Sequence, residues 1–107
     1  MRERYYSIET YEPVNGLGTI RLGGSLDIGA RDDVRDSITE AGAAPGLSSL
    51  LVDLSGVAFL DSEALAGLIE GFLKVRETGV PIRAVNANGI VRRVLDVTGT
   101  LELFEAD

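Results

Sequence analysis

The feature that most constrains the fold is a short apolar run in the middle of the chain, Ser49 to Leu54 (SLLVDL). A nearly continuous apolar segment of strand length is typical of a central β-strand that is covered on both faces. Its one charged residue, Asp53, lies near the end of the run. Such a strand needs other strands beside it and helices across it, so the flanking segments should supply both.

Two strands and a helix are predicted before this run. Tyr5 to Tyr11 is rich in aromatic and β-branched residues and leads to the turn sequence Asn15-Gly16, so Gly18 to Leu22 should be its hairpin partner. A helix that ends near Gly42 should follow. It is indicated by apolar residues at helical spacing, namely Val34, Ile38 and Ala41.

After the run, an apolar stripe predicts a second helix from Ser62 to about Glu77. A short strand at Pro81 to Val85, a third helix that ends before Gly99 and a last strand at Leu101 to Phe104 complete the pattern. The order β-β-α-β-α-β-α-β predicts an α/β fold in one domain over residues 1–107. Its small mixed sheet should begin with an antiparallel hairpin and carry helices packed on it.

Two predicted loops leave the strands at one edge of this sheet. They are GGSLD, Gly23 to Asp27, and SGVAFLDS, Ser55 to Ser62. Loops at the carboxyl ends of parallel strands gather on one rim, where ligands and partners usually bind. If the two strands are parallel neighbours, Asp27 and Ser62 share one surface.

Composition excludes several classes of function. The chain has no Cys and no His, which removes disulfides, thiol catalysis, most hydrolytic triads and the commonest metal ligand. A formal charge of -7 repels phosphate backbones, so no nucleic-acid partner is expected. No apolar run approaches the roughly 20 residues of a membrane helix, and the first residues lack a signal peptide's apolar core. We expect a cytoplasmic protein without membrane insertion, catalytic residues, metal or cofactor.

Three interpretations of the acidic and serine residues at this rim remain. Asp27, Asp53 and Asp61 could bind a cation as in a response-regulator receiver, with Asp53 as phosphoacceptor, although the acidic pair and late lysine of such a receiver are missing. Ser62 or Asp61 could cap the second helix. Alternatively, Ser62 could be phosphorylated by a separate kinase, which brings its own base and metal.

Small residues also form a stripe on the second helix, at Ala64, Gly67 and Gly71. The stripe either lets this helix pack closely against its neighbour or provides a flat docking face next to Ser62.

From about Arg21 to Phe104 the chain resembles the STAS domain, named for sulfate transporters and anti-sigma factor antagonists. GGSLD is similar to the family's Gly-Glu-Leu-Asp segment, LLVDLSGVAFLDS to its central strand and phosphorylation loop, and VRRVLDVTG to its third helix. The resemblance implies a binding protein rather than an enzyme. In anti-sigma factor antagonists a serine-kinase anti-sigma factor phosphorylates the serine, the unphosphorylated form binds that kinase and releases its sigma factor, and a PP2C-type phosphatase restores it.

Carried over by position, the resemblance makes Ser62 the phosphoacceptor, Asp61 the preceding aspartate, and Asp27 a residue that helps contact the kinase. The implied partner-binding surface lies on the two loops and consists of Ser25, Leu26, Asp27, Leu60, Asp61, Glu63 and Ala64. The alternative keeps the fold without the switch, as an accessory or scaffold subunit of a lipid transporter complex or a stress-signalling assembly.

Two segments depart from the family pattern. Glu63-Ala64 follows the acceptor, where a small residue and Gly are usual, so a permanent charge stands beside Ser62. Gly24-Ser25 replaces the usual Gly-Glu, so one negative charge has moved from one loop to the other.

Overall fold

The structure is a computed structural model that describes residues 5–27 and 29–105. Its elements, in chain order, are β1 (Tyr6–Val14), β2 (Leu17–Leu26), α1 (Ala30–Gly42), β3 (Ser49–Leu60), α2 (Ser62–Glu77), β4 (Ile82–Val85), α3 (Gly89–Val97) and α4 (Leu101–Glu105). Within these ranges, none of the helices has the length and apolar character to cross a bilayer.

The sheet is mixed and begins with the predicted hairpin. Its strand order is β1-β2-β3-β4, with β1 and β2 antiparallel and the other neighbours parallel. The two-residue turn between β1 and β2 has positive φ at both Asn15 and Gly16 (51° and 82°), which suits the twist of a tight hairpin. The predicted fold class is therefore confirmed.

The helices cover one face of the sheet. The buried residues of all four helices belong to one core with alternate residues of β3, such as Leu50, Val52 and Leu54. The intervening residues Leu51 and Asp53 are only half-buried. The prediction that the central strand is covered on both faces is wrong, because Leu51 makes the run look continuously apolar although it points to the open face.

The two segments predicted as loops are mostly strand. Ladder pairing between β2 and β3 continues to Leu26 and Leu60, seven residues beyond Asp53, where β3 stops pairing with β4. The pairing passes two register shifts around Gly23 and Gly24. At Gly24, φ is +79° and a Cβ would lie 2.2 Å from the Tyr5 carbonyl oxygen, so only glycine fits this bend.

The last element is a helix, which corrects the strand predicted at Leu101 to Phe104. Its alternating apolar residues resemble a strand, but the packing of Phe104 against α2 favours a helix. The buried ring of Phe104 meets Phe72 of α2 edge to face, with ring centroids 4.7 Å apart. The main-chain N–H of Phe104 donates to the Thr100 carbonyl oxygen at 3.2 Å, which closes a helical turn.

Candidate functional site

The candidate site lies where the β2–β3 pair ends. Leu26 and Leu60 are register partners, and the main-chain N–H of Asp61 donates to the Leu26 carbonyl oxygen at 3.0 Å. Asp27 directly follows one strand, and Asp61 and Ser62 directly follow the other. β2 and β3 are thus parallel neighbours, which is the condition under which Asp27 and Ser62 were predicted to share one surface. The strand ends that lead to these two residues lie side by side.

Asp61, and not Ser62, caps α2. Asp61 has extended backbone dihedrals, and its side chain accepts a hydrogen bond from the Ala64 main-chain N–H at 2.8 Å. Ser62 is the first helical residue and is exposed. Among the described residues its hydroxyl has no hydrogen-bond partner. The capping alternative therefore applies to Asp61 and leaves the Ser62 hydroxyl accessible.

Three residues of the predicted partner surface are buried. Leu26, Leu60 and Ala64 belong to the hydrophobic core, with at most 3% of their surface exposed. Apolar side chains are needed there because they anchor the strand ends and the first turn of α2 to the rest of the core. The accessible part of the predicted surface consists of Ser25, Asp27, Asp61, Ser62 and Glu63, all exposed or half-buried.

The small-residue stripe on α2 packs against α1. A Cβ on Gly67 would lie 2.4 Å from the Arg31 carbonyl oxygen, and one on Gly71 would lie 3.0 Å from the Ile38 side chain. Ala64 is buried as well. The stripe therefore sets the close approach of the two helices, and its interpretation as an exposed docking face is wrong.

Arg31 of α1 reaches the first turn of α2. Its Nη1 donates to Glu63 Oε2 at 2.6 Å, and its Nη2 and Nε donate to the two oxygens of Glu70 at 2.7 and 3.3 Å. Hydrogen bonds to Glu70 and then to Glu63 raise the pKa of Arg31, and the same guanidinium lowers the pKa of Glu70. The charge that Glu63 adds beside Ser62 is thus paired within the protein.

Sequence reasoning missed the roles of Arg31 and Phe59. Arg31 lies on the first helix, and helical spacing cannot identify a partner on another helix. Phe59 is 41% exposed and is the register partner of Ser25, so an aromatic side chain stands at the accessible site. Phe59 was overlooked although it lies in the segment Ser55 to Ser62, which was predicted to be a loop at the binding edge of the sheet.

Asp53 lies apart from this site. It is the register partner of Arg21, far down the β2–β3 pair from Leu60. Burial raises the pKa of its carboxyl, but hydrogen bonds from the Ser55 N–H (2.9 Å), Asn86 Nδ2 (3.2 Å) and Arg21 Nε (3.4 Å) outweigh this and lower it. These contacts fit a structural carboxylate. Across residues 5–27 and 29–105, no group of three acidic side chains is arranged to hold a metal ion.

The chain matches known proteins over almost its whole length. The STAS domain family model matches residues 5–106. An anti-sigma F factor antagonist of Paenibacillus polymyxa is 26% identical over 89 residues, which cover 83% of this chain and 76% of that protein. The unphosphorylated anti-sigma factor antagonist SpoIIAA has a similar structure, with a TM-score of 0.75, 19% identity, and coverage of 94% and 87% of the two chains. An anti-sigma factor antagonist from Mycobacterium paratuberculosis gives a TM-score of 0.70 at 27% identity, with coverage of 94% and 83%.

Proposed function

Since this chain belongs to the STAS domain family, we propose that it is an anti-sigma factor antagonist whose binding is switched by phosphorylation of Ser62. In its unphosphorylated form it binds a serine-kinase anti-sigma factor, which releases the sigma factor held by that kinase. The kinase transfers the γ-phosphoryl group of ATP to Ser62 Oγ, with release of ADP and a proton, and the phosphorylated form dissociates. A PP2C-type phosphatase hydrolyses the phosphate and restores binding.

The observation that carries this proposal is the exposed hydroxyl of Ser62 at the first position of α2. Because Asp61 supplies the cap, the Ser62 hydroxyl has no structural task that would oppose its modification. A phosphate at a helix N-terminus is favoured by the helix dipole and by the main-chain N–H groups of the first turn. Phosphorylation should therefore leave the fold intact and act on the partner.

The effect on the partner is electrostatic. A phosphoserine carries about -1.5 to -2 charges at neutral pH and would stand near Asp27, Asp61 and Glu63. Like charges brought together across an interface cost several kcal/mol, so a partner surface that is acidic or apolar where it meets Ser62 would reject the added phosphate. Phe59 supplies a half-exposed aromatic side chain that can anchor the unphosphorylated complex.

The test incubates the protein with ATP, Mg²⁺ and the serine-kinase anti-sigma factor encoded nearest its gene, followed by intact mass spectrometry. We expect a gain of one phosphate that Ser62→Ala abolishes and Ser48→Ala retains. Ser48 is a suitable control because it is exposed and lies next to the start of β3, at the other end of that strand.

A binding measurement with the same kinase completes the test. Ser62→Asp should weaken the complex, while Ser62→Ala should leave it intact. No phosphate transfer, together with unchanged binding by Ser62→Asp, would reject the switch and favour an accessory or scaffold subunit.

A further inference from the structure

Arg31 connects the first turn of α1 to the residue that follows Ser62. The guanidinium is held from one side by both oxygens of Glu70 and from the other by a single oxygen of Glu63, through Nη1 at 2.6 Å. The Glu63 contact is at the exposed end, where the Glu63 side chain is 63% accessible to solvent. The backbone of Arg31 is fixed as well, because Gly67 of α2 packs directly on its carbonyl group.

We propose that Arg31 is the phosphate-binding residue of this protein, and that its guanidinium exchanges Glu63 for the phosphate when Ser62 is phosphorylated. The inference rests on the proposed phosphorylation of Ser62 and adds the group that receives the phosphate. Glu63 then acts as a placeholder that occupies the Nη1 donor of Arg31 in the unphosphorylated protein.

The exchange follows from charge and reach. A phosphate dianion is a stronger acceptor for a guanidinium than a single carboxylate oxygen, and the planar fork of arginine suits two phosphate oxygens. Ser62 and Glu63 are consecutive residues with Cα atoms about 3.8 Å apart, but their side chains leave the helix about 100° apart, so the exchange requires the Arg31 guanidinium to turn from Glu63 toward Ser62. Loss of an exposed ion pair such as Arg31–Glu63 costs little, because solvent replaces it. The contacts with Glu70 hold Arg31 against α2 in the unphosphorylated protein.

The surroundings of Ser62 make a nearby cation favourable for a phosphate. The charged residues at the two strand ends and in the Arg31 cluster are Asp61 and Glu63 on α2, Asp27 after β2, and Arg31 and Glu70 across the two helices. Four of these five are carboxylates. Among the described residues, Arg31 is the cation that already contacts the residue following Ser62.

The test uses protein with phosphoserine placed at position 62 during translation, so that no kinase is required. The phosphate is titrated by ³¹P NMR in the wild type, Arg31→Gln and Arg35→Gln. Arg35 is the matched control, since it is also on α1 but pairs with Asp32 and Asp36. Its Nη1 is 3.8 Å from Glu70 Oε1, so it is close to the same carboxylate without contacting Glu63. A bound cation favours the dianion, so the phosphate pKa should be lower in the wild type than in Arg31→Gln by roughly half a unit to one unit. Arg35→Gln should match the wild type.

A second measurement follows the arginine itself. Phosphorylation should shift the ¹⁵N and ¹H resonances of the Arg31 side chain and leave those of Arg35 in place. Equal phosphate pKa values in the wild type and Arg31→Gln, with unmoved Arg31 resonances, would overturn the proposal. Because the phosphate is installed directly, this outcome is distinct from failure of the kinase to phosphorylate Ser62.

Discussion

The main-chain N–H of Asp61 donates to the carbonyl oxygen of Leu26 at 3.0 Å, so the segments that lead into α1 and α2 leave the sheet from one point. The bond continues the β2–β3 pairing past the last ladder pair and joins two residues that are 35 positions apart in the sequence. It also explains why Asp27 and Ser62 belong to one surface although no side-chain contact joins them.

Removal of the helix cap should destabilise the protein. Asp61→Ala loses the acceptor of the Ala64 N–H, and such a change typically costs about 1 kcal/mol. Asp61→Asn retains an acceptor and should cost only a fraction of this. Urea denaturation followed by circular dichroism measures both. Equal stabilities of Asp61→Ala and the wild type would show that Asp61 does not act as the cap.

Gly67→Ala should be more destabilising than Gly71→Ala. Alanine favours a helix by about 1 kcal/mol over glycine, but a Cβ at position 67 meets a main-chain oxygen at 2.4 Å, whereas at position 71 it meets the Ile38 side chain at 3.0 Å. A side chain adjusts more easily than backbone, and overpacking typically costs about 1–3 kcal/mol. Urea midpoints rank the two variants, and the reverse ranking would contradict the close packing of α1 on α2.

The Asp53 carboxylate should stabilise the folded protein near neutral pH and lose this contribution in acid. Its pKa is lowered in the folded protein, so the contribution is present above the ordinary aspartate pKa of about 3.9 and is lost as the pH falls through the folded value. Asp53→Asn should therefore be less stable than the wild type at pH 6, and the difference should shrink below about pH 4.

Thermal unfolding from pH 2.5 to pH 7 measures this difference. Asp96→Asn is the control, because Asp96 is exposed and its side chain makes no hydrogen bond to any described residue. A difference between Asp53→Asn and the wild type that is independent of pH would indicate that the carboxylate charge is unimportant.

Phe59→Ala should weaken binding of the anti-sigma factor kinase without a large loss of stability. Phe59 is 41% exposed, and truncation of an aromatic anchor in a partner surface lowers affinity tenfold to thirtyfold, roughly 1.4–2 kcal/mol. Leu73→Ala is the control. Leu73 is similarly exposed, at 49%, but lies three turns along α2. Isothermal titration calorimetry should show the loss for Phe59→Ala alone, and equal affinities of the two variants would remove Phe59 from the interface.

Much of the fold was predictable because local signals agreed with packing. The stripe that predicted α2 gave its bounds, Ser62 to Glu77, as they are in the structure. The extension of β3 was not predictable in the same way. Ser55 and Gly56 interrupt the apolar run and resemble a loop, but strand pairing with β2 continues past them, where Gly56 faces Gly23. Pairing between strands, rather than local propensity, decides such a segment.

The main-chain arrangement of the site was predictable from the sequence, but the burial and the contacts of its side chains were less so. Parallel strand order was enough to place Asp27 beside Asp61 and Ser62. The burial of Leu26, Leu60 and Ala64 and the Arg31–Glu63 pair depend on how α1 lies across α2. That geometry is set by Gly67. The sequence indicated close packing at this glycine, but it could not identify the Arg31 carbonyl group as the neighbour.

The parallel strands of the sheet have unequal lengths. β4 pairs with β3 only as far as Asp53, while β2 and β3 continue together to Leu26 and Leu60, and β1 stays paired with β2 as far as Gly24. The end of the sheet that leads to Ser62 is thus built from three paired strands, and its last residues Leu26 and Leu60 are buried in the core. Ser62 is therefore presented to any enzyme that modifies it from a hydrogen-bonded frame, and not from a free loop.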